Sequence, residues 1–239
     1  MLQSCAFALS LVTVTALALS PSAAPTLLSG SLHRELSFAS PDLVFELRDE
    51  LRRLGSRPGG FVQGESFGND GRKDSLRSAL TCKPSMESEC FQTLFWRLDD
   101  AREELSEGLG RTLLPGIEAT FVLYPEGGYY GRHVDSVAGD MSTGGEGGTG
   151  RRSVSFICYL NEPGWSAEDG GALRFWPPTL PDGKRRWRPP DREDAEDDAR
   201  AVDVVPECGS LVLFDSKEVW HEVLPTRRER ACLVGWFRE

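Results

Sequence analysis

Apolar residues in the first half of the chain recur at three- and four-residue steps, the spacing that predicts amphipathic helices. The first such run covers residues 41–54, stops at Gly55 and is followed by the turn sequence Pro58-Gly-Gly60. A second and longer run covers residues 89–110. The intervening residues 61–78 are polar and contain glycine, which indicates an edge strand followed by a loop. We expect both helices to pack against one face of a sheet.

The second half of the chain consists of short runs of β-branched and aromatic residues separated by glycine and proline, a pattern that predicts strands. Many short strands with turn signals between them favour a sandwich or barrel. The pattern therefore predicts a mainly β fold with flanking helices, an α+β arrangement. The eight predicted strands are residues 118–124, 129–135, 153–160, 172–176, 201–205, 210–214, 218–224 and 231–237.

Two inserts interrupt the predicted strands. The first, residues 139–150, is rich in glycine and is predicted to form a mobile loop close to His133. The second, residues 177–198, joins a basic stretch, Lys184-Arg-Arg-Trp-Arg188, to an acidic run at residues 191–198. Because the two halves carry opposite charges that neutralise each other, we expect a solvated hairpin extension there.

The N-terminal segment has the composition of a targeting sequence. No charged residue precedes Arg34, residues 6–19 are apolar with serine and threonine mixed in, and small residues follow in Pro21-Ser-Ala-Ala-Pro25. The run is too short for a transmembrane span. We expect residues 1–24 to be a removed leader that directs the protein to the secretory pathway or an organelle. The alternatives are a short anchor or an uncleaved segment on a cytoplasmic protein.

The chain length of 239 residues suits a single domain with a substantial core. We place this domain at residues 41–239, with helical support in 41–114 and the β core in 116–239. The net charge of −10 argues against nucleic acid or an anionic membrane surface as a partner, because both select for clustered lysine and arginine.

Six cysteines occur in the chain, and five remain without the predicted leader. Cys158 and Cys232 lie in apolar strand-like runs and are predicted to be buried thiols. Cys82 and Cys90 could form a disulfide in an oxidising compartment, whereas no Cys-x-x-Cys spacing indicates zinc. The pattern leaves the redox compartment open.

Two polar residues in the predicted strand 129–135 are candidate metal ligands. Alternation along a strand places His133 and Asp135 on one face. The chain contains three histidines, and one of them, His221, lies in a second apolar run. Two imidazoles and one carboxylate form the facial set that suits Fe(II) and leaves coordination positions open, although zinc also accepts these ligands. The alternative is a surface strand with two polar residues.

A candidate anion-binding residue follows on the next predicted strand. Arg230 stands nine residues after His221 and opens an otherwise apolar run. A guanidinium buried there needs a carboxylate, and its fork geometry favours a bidentate one. If a ligand supplies the carboxylate, that ligand is a dicarboxylate whose other end reaches the metal, and the Tyr159 phenol could bind the same carboxylate. The alternative is a surface ion pair with Glu229 or Glu239.

The candidate residues belong to a longer series of short motifs. In chain order the motifs are Tyr124-Pro-x-Gly, His133-x-Asp135, Tyr159-Leu-Asn161, Gly170-Gly-Ala-Leu-Arg174, Gly209-Ser-Leu-Val-Leu-Phe214, His221-Glu-Val-x-Pro225 and Arg230. Over residues 61–239 this series resembles the Fe(II)- and 2-oxoglutarate-dependent dioxygenases, specifically the prolyl 4-hydroxylase branch. Arginine at position 230, where collagen-type enzymes carry lysine, is similar to the oxygen-sensing hypoxia-inducible-factor prolyl hydroxylases and their microbial relatives.

The resemblance implies a double-stranded β-helix, or jelly roll, with the metal at one mouth of the barrel and helices bracing the outside. It implies that His133, Asp135 and His221 bind Fe(II). It also implies that Arg230 and Tyr159 hold the C5 carboxylate of 2-oxoglutarate, the co-substrate.

By the same resemblance, Tyr124 lines the 2-oxoglutarate pocket and Leu173 packs against its chain. Dioxygen is the second co-substrate and L-ascorbate the reductant. The implied reaction hydroxylates a prolyl residue in a peptide or protein and releases succinate and CO2. Four further residues match positions near the peptide substrate, namely Arg72, Asp74, Arg152 and Trp236.

The two inserts and the predicted leader depart from the family pattern. Both inserts are longer than in the oxygen-sensing enzymes, and loops at the barrel mouth help to select the peptide. An oxygenase of the same fold that acts on another residue or a small molecule is the near alternative. A non-catalytic jelly-roll binding module, cupin-like or lectin-like, is the alternative outside the enzymes.

Overall fold

A computed structural model describes residues 18–64, 77–136, 150–179, 183–184 and 194–239. Within these residues there are four α-helices and twelve β-strands. The helices are α1 (Ala23–Leu28), α2 (Pro41–Gly55), α3 (Glu89–Leu109) and α4 (Ala195–Ala199). The strands are β1 (His33–Glu35), β2 (Val62–Gln63), β3 (Arg77–Ser78), β4 (Leu80–Cys82), β5 (Glu118–Tyr124), β6 (Tyr129–His133), β7 (Arg152–Tyr159), β8 (Leu173–Trp176), β9 (Val202–Val204), β10 (Leu211–Asp215), β11 (Trp220–Val223) and β12 (Arg230–Arg238).

The strands form two antiparallel sheets. The larger has the order β1-β10-β7-β12-β5-β4-β2, and the smaller has the order β3-β6-β11-β8-β9. From β5 onward the chain passes back and forth between the sheets, with β8 and β9 the one consecutive pair that stays in the same sheet. This winding is that of a jelly roll, so the predicted fold class is confirmed.

Side-chain alternation divides the core into two layers. On the large sheet one set of residues faces the helices, including Phe121, Phe156 and Leu233. The neighbouring positions face the interior between the sheets, and Cys232 is one of them. The period of two in the sequence therefore builds a helix-facing core and a separate barrel interior, which is where a ligand site has room.

The two long helices begin and end as the sequence predicts. Ser40 caps α2 by accepting a hydrogen bond from the Leu43 amide, and proline follows at the first helical position. Ser88 caps α3, and Gly110 ends it in the left-handed conformation with φ of 63°. Both helices bury their apolar stripes against the large sheet, which confirms their predicted packing.

The segment before α2 also belongs to the fold. The Ala18 amide donates to Glu104 of α3 at 2.7 Å, and β1 pairs with β10 through His33 opposite Leu213. The predicted domain start at residue 41 therefore leaves out a helix and an edge strand, because a three-residue strand is too short to produce a sequence pattern. The predicted leader overlaps this packed segment at residues 18–24, and its remainder lies outside the described residues. No helix in the described ranges is long and apolar enough to cross a membrane.

The end of the second insert differs from the predicted solvated hairpin. Residues 195–199 form α4, which Asp194 caps, and Asp197 is buried. The Trp176 indole donates to the Asp197 carbonyl at 3.0 Å, so this turn of helix packs on the barrel. The basic stretch, apart from Lys184, and the first insert, apart from Gly150, lie outside the described residues.

The cysteine pattern is that of reduced thiols. All five cysteines in the described part of the chain are free, including Cys82 and Cys90, so the possible disulfide between these two does not form. Cys158 and Cys232 are fully buried, as predicted. Burial raises the pKa of the Cys158 thiol to about 12, with minor contributions from neighbouring thiols, which makes it unreactive.

Candidate iron and 2-oxoglutarate site

The two candidate histidines lie on neighbouring strands of the small sheet. β6 and β11 run antiparallel, and His133 is directly opposite His221 in their register. The ring centroids are 4.2 Å apart. β6 ends at His133, so Asp135 follows the strand rather than lying within it, yet its carboxylate turns back toward both rings.

The three side chains converge on one point. His133 Nε2 lies 3.3 Å from Asp135 Oδ1, and His221 Nε2 lies 3.7 Å from the same oxygen. All three potential ligand atoms lie within 4.8 Å of one another. This is the spacing of groups that share one metal ion, since each metal–ligand bond is about 2 Å long.

Backbone contacts prepare each imidazole to act as a ligand. His133 Nδ1 lies 2.7 Å from the Gly131 carbonyl oxygen, and His221 Nδ1 lies 3.0 Å from that of Val219. A carbonyl only accepts, so each Nδ1 must carry the proton and donate it. The proton-free Nε2 atoms therefore face the convergence point with their lone pairs available.

The carboxylate is held in its ionised form. Ser155 donates to Asp135 Oδ2 at 2.7 Å, and the Ser155 hydroxyl contacts Ser216 at 2.8 Å. Burial alone would raise the pKa of Asp135, but the adjacent His221 and His133 and the Ser155 hydrogen bond hold it well below its usual range. Burial, reinforced by the charge of His133, lowers the pKa of His221 to about 4. Two imidazoles that present Nε2 and one carboxylate form a set that fits Fe(II) with three positions open.

Arg230 opens β12 as a fully buried cation. Its side chain has no exposed surface. Nε donates to the Gly171 carbonyl at 2.9 Å, and Nη1 lies 3.4 Å from Cys232 Sγ. Its Cζ lies 4.8 Å from the Tyr124 ring centroid and 5.1 Å from that of Tyr159.

Two buried polar atoms beside these rings have no partner among the described residues. They are Nη2 of Arg230 and the hydroxyl of Tyr159. Buried donors without acceptors cost free energy, and structures retain them where a ligand supplies the acceptor. A dicarboxylate whose far carboxylate accepts from both groups fits this end of the site.

The alternative in which Arg230 forms a surface ion pair is wrong. Glu229 lies within 3.5 Å of Arg48 and of Arg52 on α2. Glu239 contacts Arg151 at 2.8 Å. Both carboxylates are therefore engaged elsewhere, on the outside of the barrel.

Sequence comparison decides the family. A profile of the 2OG-Fe(II) oxygenase superfamily matches residues 119–238, just over half of the chain. This chain belongs to that superfamily. The 2OG-Fe(II) oxygenases use Fe(II), 2-oxoglutarate and dioxygen, so the chain is a 2-oxoglutarate-dependent dioxygenase and the predicted enzyme class is confirmed. A search of curated protein sequences gave no match.

Solved structures resemble this oxygenase over nearly its whole length. A prolyl-4-hydroxylase from Pseudomonas putida is 32% identical, with a TM-score of 0.69 over 91% of this chain and 97% of that chain. A prolyl hydroxylase from Trichoplax adhaerens, in complex with a hypoxia inducible factor peptide fragment, is 21% identical with a TM-score of 0.67, over 90% of this chain and 86% of that chain. The epimerase SnoN is 16% identical with a TM-score of 0.57, over 90% and 82% of the two chains. The last two likenesses show the fold.

A cleft of about 390 Å³ opens above the three metal-ligand candidates of the oxygenase. Two predicted substrate residues line it together, since the Arg152 guanidinium stacks on the Trp236 ring at 3.5 Å from its centroid. Arg152 also donates to Glu118 at 2.6 Å and to the Asp135 carbonyl at 3.4 Å. It therefore contacts the segment that carries a metal ligand.

The remaining predicted residues divide between the interior and the undescribed segments. Leu173 is fully buried in the barrel interior, in one cluster with Tyr124 and Tyr159. Arg72 and Asp74 lie outside the described residues.

Sequence reasoning missed residues that support the site of the oxygenase rather than form it. Ser155 orients the Asp135 carboxylate, and Glu118 holds Arg152. The signal for Ser155 was a polar residue at an inward position of an otherwise apolar strand. Glu118 gave no comparable signal, because a glutamate that opens a strand is ordinarily exposed.

Proposed function

We propose that this oxygenase hydroxylates prolyl residues in a peptide or protein. The observation that carries the proposal is the 32% identity to a Pseudomonas putida prolyl-4-hydroxylase, which extends over 91% of this chain rather than the metal motif alone. The cleft supports it, because an aromatic ring and a guanidinium lie beside the metal ligands, and a ring of this kind suits an apolar prolyl side chain. The Trichoplax adhaerens enzyme is a prolyl hydroxylase of the same fold seen with a peptide.

Each end of the interior site has its own task in this proposal. His133 and His221 bind the metal through Nε2 and Asp135 binds it through Oδ1. Arg230 and Tyr159 take the C5 carboxylate of 2-oxoglutarate. Bound iron and 2-oxoglutarate supply the oxidising chemistry that couples decarboxylation to hydroxylation.

The chemistry of these two groups, the guanidinium and the metal ligands, supports one direction for 2-oxoglutarate. Tyr124 and Leu173 are both buried in the barrel interior, in one cluster with Tyr159. Arg230 would hold the C5 carboxylate, which would leave the 2-oxo acid end for the iron held by His133, Asp135 and His221. The protein thereby holds both co-substrates in register and excludes water from the buried end.

The cleft above the ligands takes the peptide. Arg152 and Trp236 form one wall, and we assign them to peptide contact. L-ascorbate serves as the reductant that keeps the iron in the ferrous state.

Two measurements test the proposal in sequence. Fe(II) and 2-oxoglutarate are added without oxygen, and the weak visible metal-to-ligand absorption is recorded for the native protein and for His133→Ala. Proline-containing peptides are then incubated aerobically, and mass spectrometry detects the gain of one oxygen on proline. We expect absorption and hydroxylation from the native protein and neither from the variant.

The outcomes separate the alternatives. Absence of absorption from the native protein would favour a non-catalytic jelly-roll module. Absorption and succinate formation with oxygen on another residue, or on a small molecule, would refute the prolyl assignment while leaving the family intact. Succinate formation by His133→Ala with added iron would contradict the metal assignment.

A further inference from the structure

The cleft above the metal ligands carries charge on two different sheets. Arg152 lies on β7 of the large sheet, and Arg77 lies on β3 of the small sheet. The carboxylates among the described lining residues are Glu118 and Asp135. Asp135 faces the metal, so the partners of the two arginines decide the charge that a substrate meets.

The arginine on the large sheet is already neutralised. Glu118 accepts from Arg152 at 2.6 Å and also from Arg238, which is almost fully buried behind it. Burial opposes ionisation of Glu118, but the two guanidinium groups hold its pKa below the usual range. Its carboxylate is therefore ionised and fully engaged by these two partners.

Within the described part of the chain, Arg77 has no such partner. Among the described residues no carboxylate forms an ion pair with it, and its Nε is buried without a hydrogen bond. Its Cζ lies 4.8 Å from the centroid of the Tyr130 ring. Gly64 makes room for it, since a Cβ there would lie 2.8 Å from the Arg77 Nε.

The position of Arg77 connects it to the reaction centre. The Tyr130 ring stacks on the imidazole of His133, with centroids 3.8 Å apart and planes 23° from parallel. Guanidinium, phenol ring and metal-ligand imidazole thus form one continuous stack along the cleft wall. A substrate group that contacts Arg77 lies one aromatic ring away from the metal ligands.

The cleft also contains two buried donors that lack an acceptor among the described residues. They are the Trp236 indole Nε1 and the Arg77 Nε, and neither has a hydrogen-bond partner in this part of the chain. The Glu118 carboxylate already accepts hydrogen bonds from Arg152 and Arg238. A cleft of this kind pairs with a segment that brings acceptors and negative charge.

We propose that Arg77 recognises a carboxylate of the substrate, so that the cleft selects prolyl peptides with aspartate or glutamate beside the target proline. The inference rests on the proposed prolyl hydroxylation and names its substrate class. The chain as a whole has a net charge of −10 and repels such a peptide at long range. Screening confines that repulsion to about 8 Å at physiological ionic strength, so the contact with Arg77 determines the preference.

The test compares matched peptides in which one residue beside the proline is aspartate, asparagine or lysine. Each is assayed with the native protein, Arg77→Gln and Arg77→Glu. The control is Arg97→Gln, since Arg97 also covers an aromatic ring, that of Phe38, at 4.9 Å from its centroid but lies on the exposed side of α3. Anaerobic absorption with Fe(II) and 2-oxoglutarate shows whether each variant keeps the metal site.

We expect the native protein to hydroxylate the best aspartate peptide with a kcat/KM about tenfold above that of its asparagine counterpart, the size of effect that one charge pair gives at a partly buried site. Arg77→Gln should reduce that ratio to near one, and Arg77→Glu should favour the lysine peptide. Arg97→Gln should keep the native ratio. High salt should lower the preference.

Equal rates for aspartate and asparagine peptides with the native protein would overturn the inference. So would a full aspartate preference retained in Arg77→Gln. If no peptide of any charge gains oxygen on proline, the proposed function fails, and that result differs from hydroxylation without charge preference.

Discussion

Replacing Arg230 by methionine tests the role of this residue in both folding stability and 2-oxoglutarate binding. Methionine is unbranched, flexible and uncharged. In the ligand-free protein, Arg230 is a fully buried cation whose single close backbone bond goes to the Gly171 carbonyl. Its removal therefore relieves desolvation, while the loss of that hydrogen bond costs about 1 kcal/mol.

The magnitudes predict opposite effects on folding and on ligand binding. Replacing a buried ion pair by apolar groups is often neutral or stabilises by about 1–4 kcal/mol. By the same desolvation argument we expect Arg230→Met without ligand to be as stable as the native protein or more stable by about 1–2 kcal/mol. That gain corresponds to a rise in Tm of about 2–8 °C for a chain of this size. Loss of the guanidinium should weaken 2-oxoglutarate binding by about 3 kcal/mol, a factor of roughly 100 or more in Kd.

Thermal unfolding with and without 2-oxoglutarate, under anaerobic Fe(II), measures both effects. At 100 times its Kd, 2-oxoglutarate should stabilise the native protein by about 2.7 kcal/mol, and at the same concentration it should barely change the Tm of Arg230→Met. The matched control is Arg102→Met, because Arg102 is also buried but pairs with Asp99 at 2.7 Å. The control should lose stability and keep the 2-oxoglutarate shift. A large destabilisation of Arg230→Met together with an intact ligand shift would refute the assignment of Arg230 to the co-substrate.

Two further predictions concern the supporting residues. Ser155→Ala removes the hydroxyl that donates to Asp135 Oδ2, so we expect Fe(II) binding to weaken about tenfold in equilibrium titration. The control is Ser153→Ala, which should keep the native affinity because the Ser153 hydroxyl contacts Glu239 instead. Glu118→Gln removes a carboxylate whose pKa is lowered by Arg152 and Arg238, although burial opposes the shift. A carboxylate with a lowered pKa in the folded state stabilises the protein at pH values above its unfolded-state pKa, which is near 4.3. The native protein should therefore exceed the variant in Tm at neutral pH, and the difference should shrink as pH falls through the folded-state pKa; a difference that does not change with pH would contradict this.

Much of the barrel could be predicted because its strands are short runs of β-branched and aromatic residues separated by glycine and proline. The strand predicted at residues 118–124 has those same bounds in the structure, and both long helices begin within a residue of their predicted starts. Strand boundaries differ from the predicted ones where hydrogen-bonded pairing, rather than composition, sets them. The strand predicted at residues 218–224, for example, pairs over residues 220–223. Periodicity could not reveal β1, whose three residues are fixed by pairing with β10.

The site was predictable where chemistry restricts the residue type. Metal ligation and carboxylate binding limit the choice at His133, His221 and Arg230 so strongly that their order along the chain is informative. Support residues are different, since a serine or a glutamate has many ordinary roles. Ser155 and Glu118 acquire theirs from strands that are distant in sequence, and their contacts appear once the fold brings β7, β5 and the ligand segment together.

The buried polar groups without partners in the described chain relate the stability of the fold to the function of the site. A fold optimised for stability alone would neutralise Arg230 or replace it, because an unpaired buried cation costs free energy. In this barrel Glu229 and Glu239, two carboxylates near Arg230 in sequence, are held by arginines on the outer surface, so they cannot reach it. The interior consequently retains one cation, one phenol hydroxyl and one set of metal ligands whose partners are absent from the described chain. These groups lack partners in the folded chain, so their interaction free energy can stabilise a bound ligand that carries a carboxylate at one end and metal-binding oxygens at the other. The residues that leave polar groups unpaired in the core are therefore the ones that indicate its function.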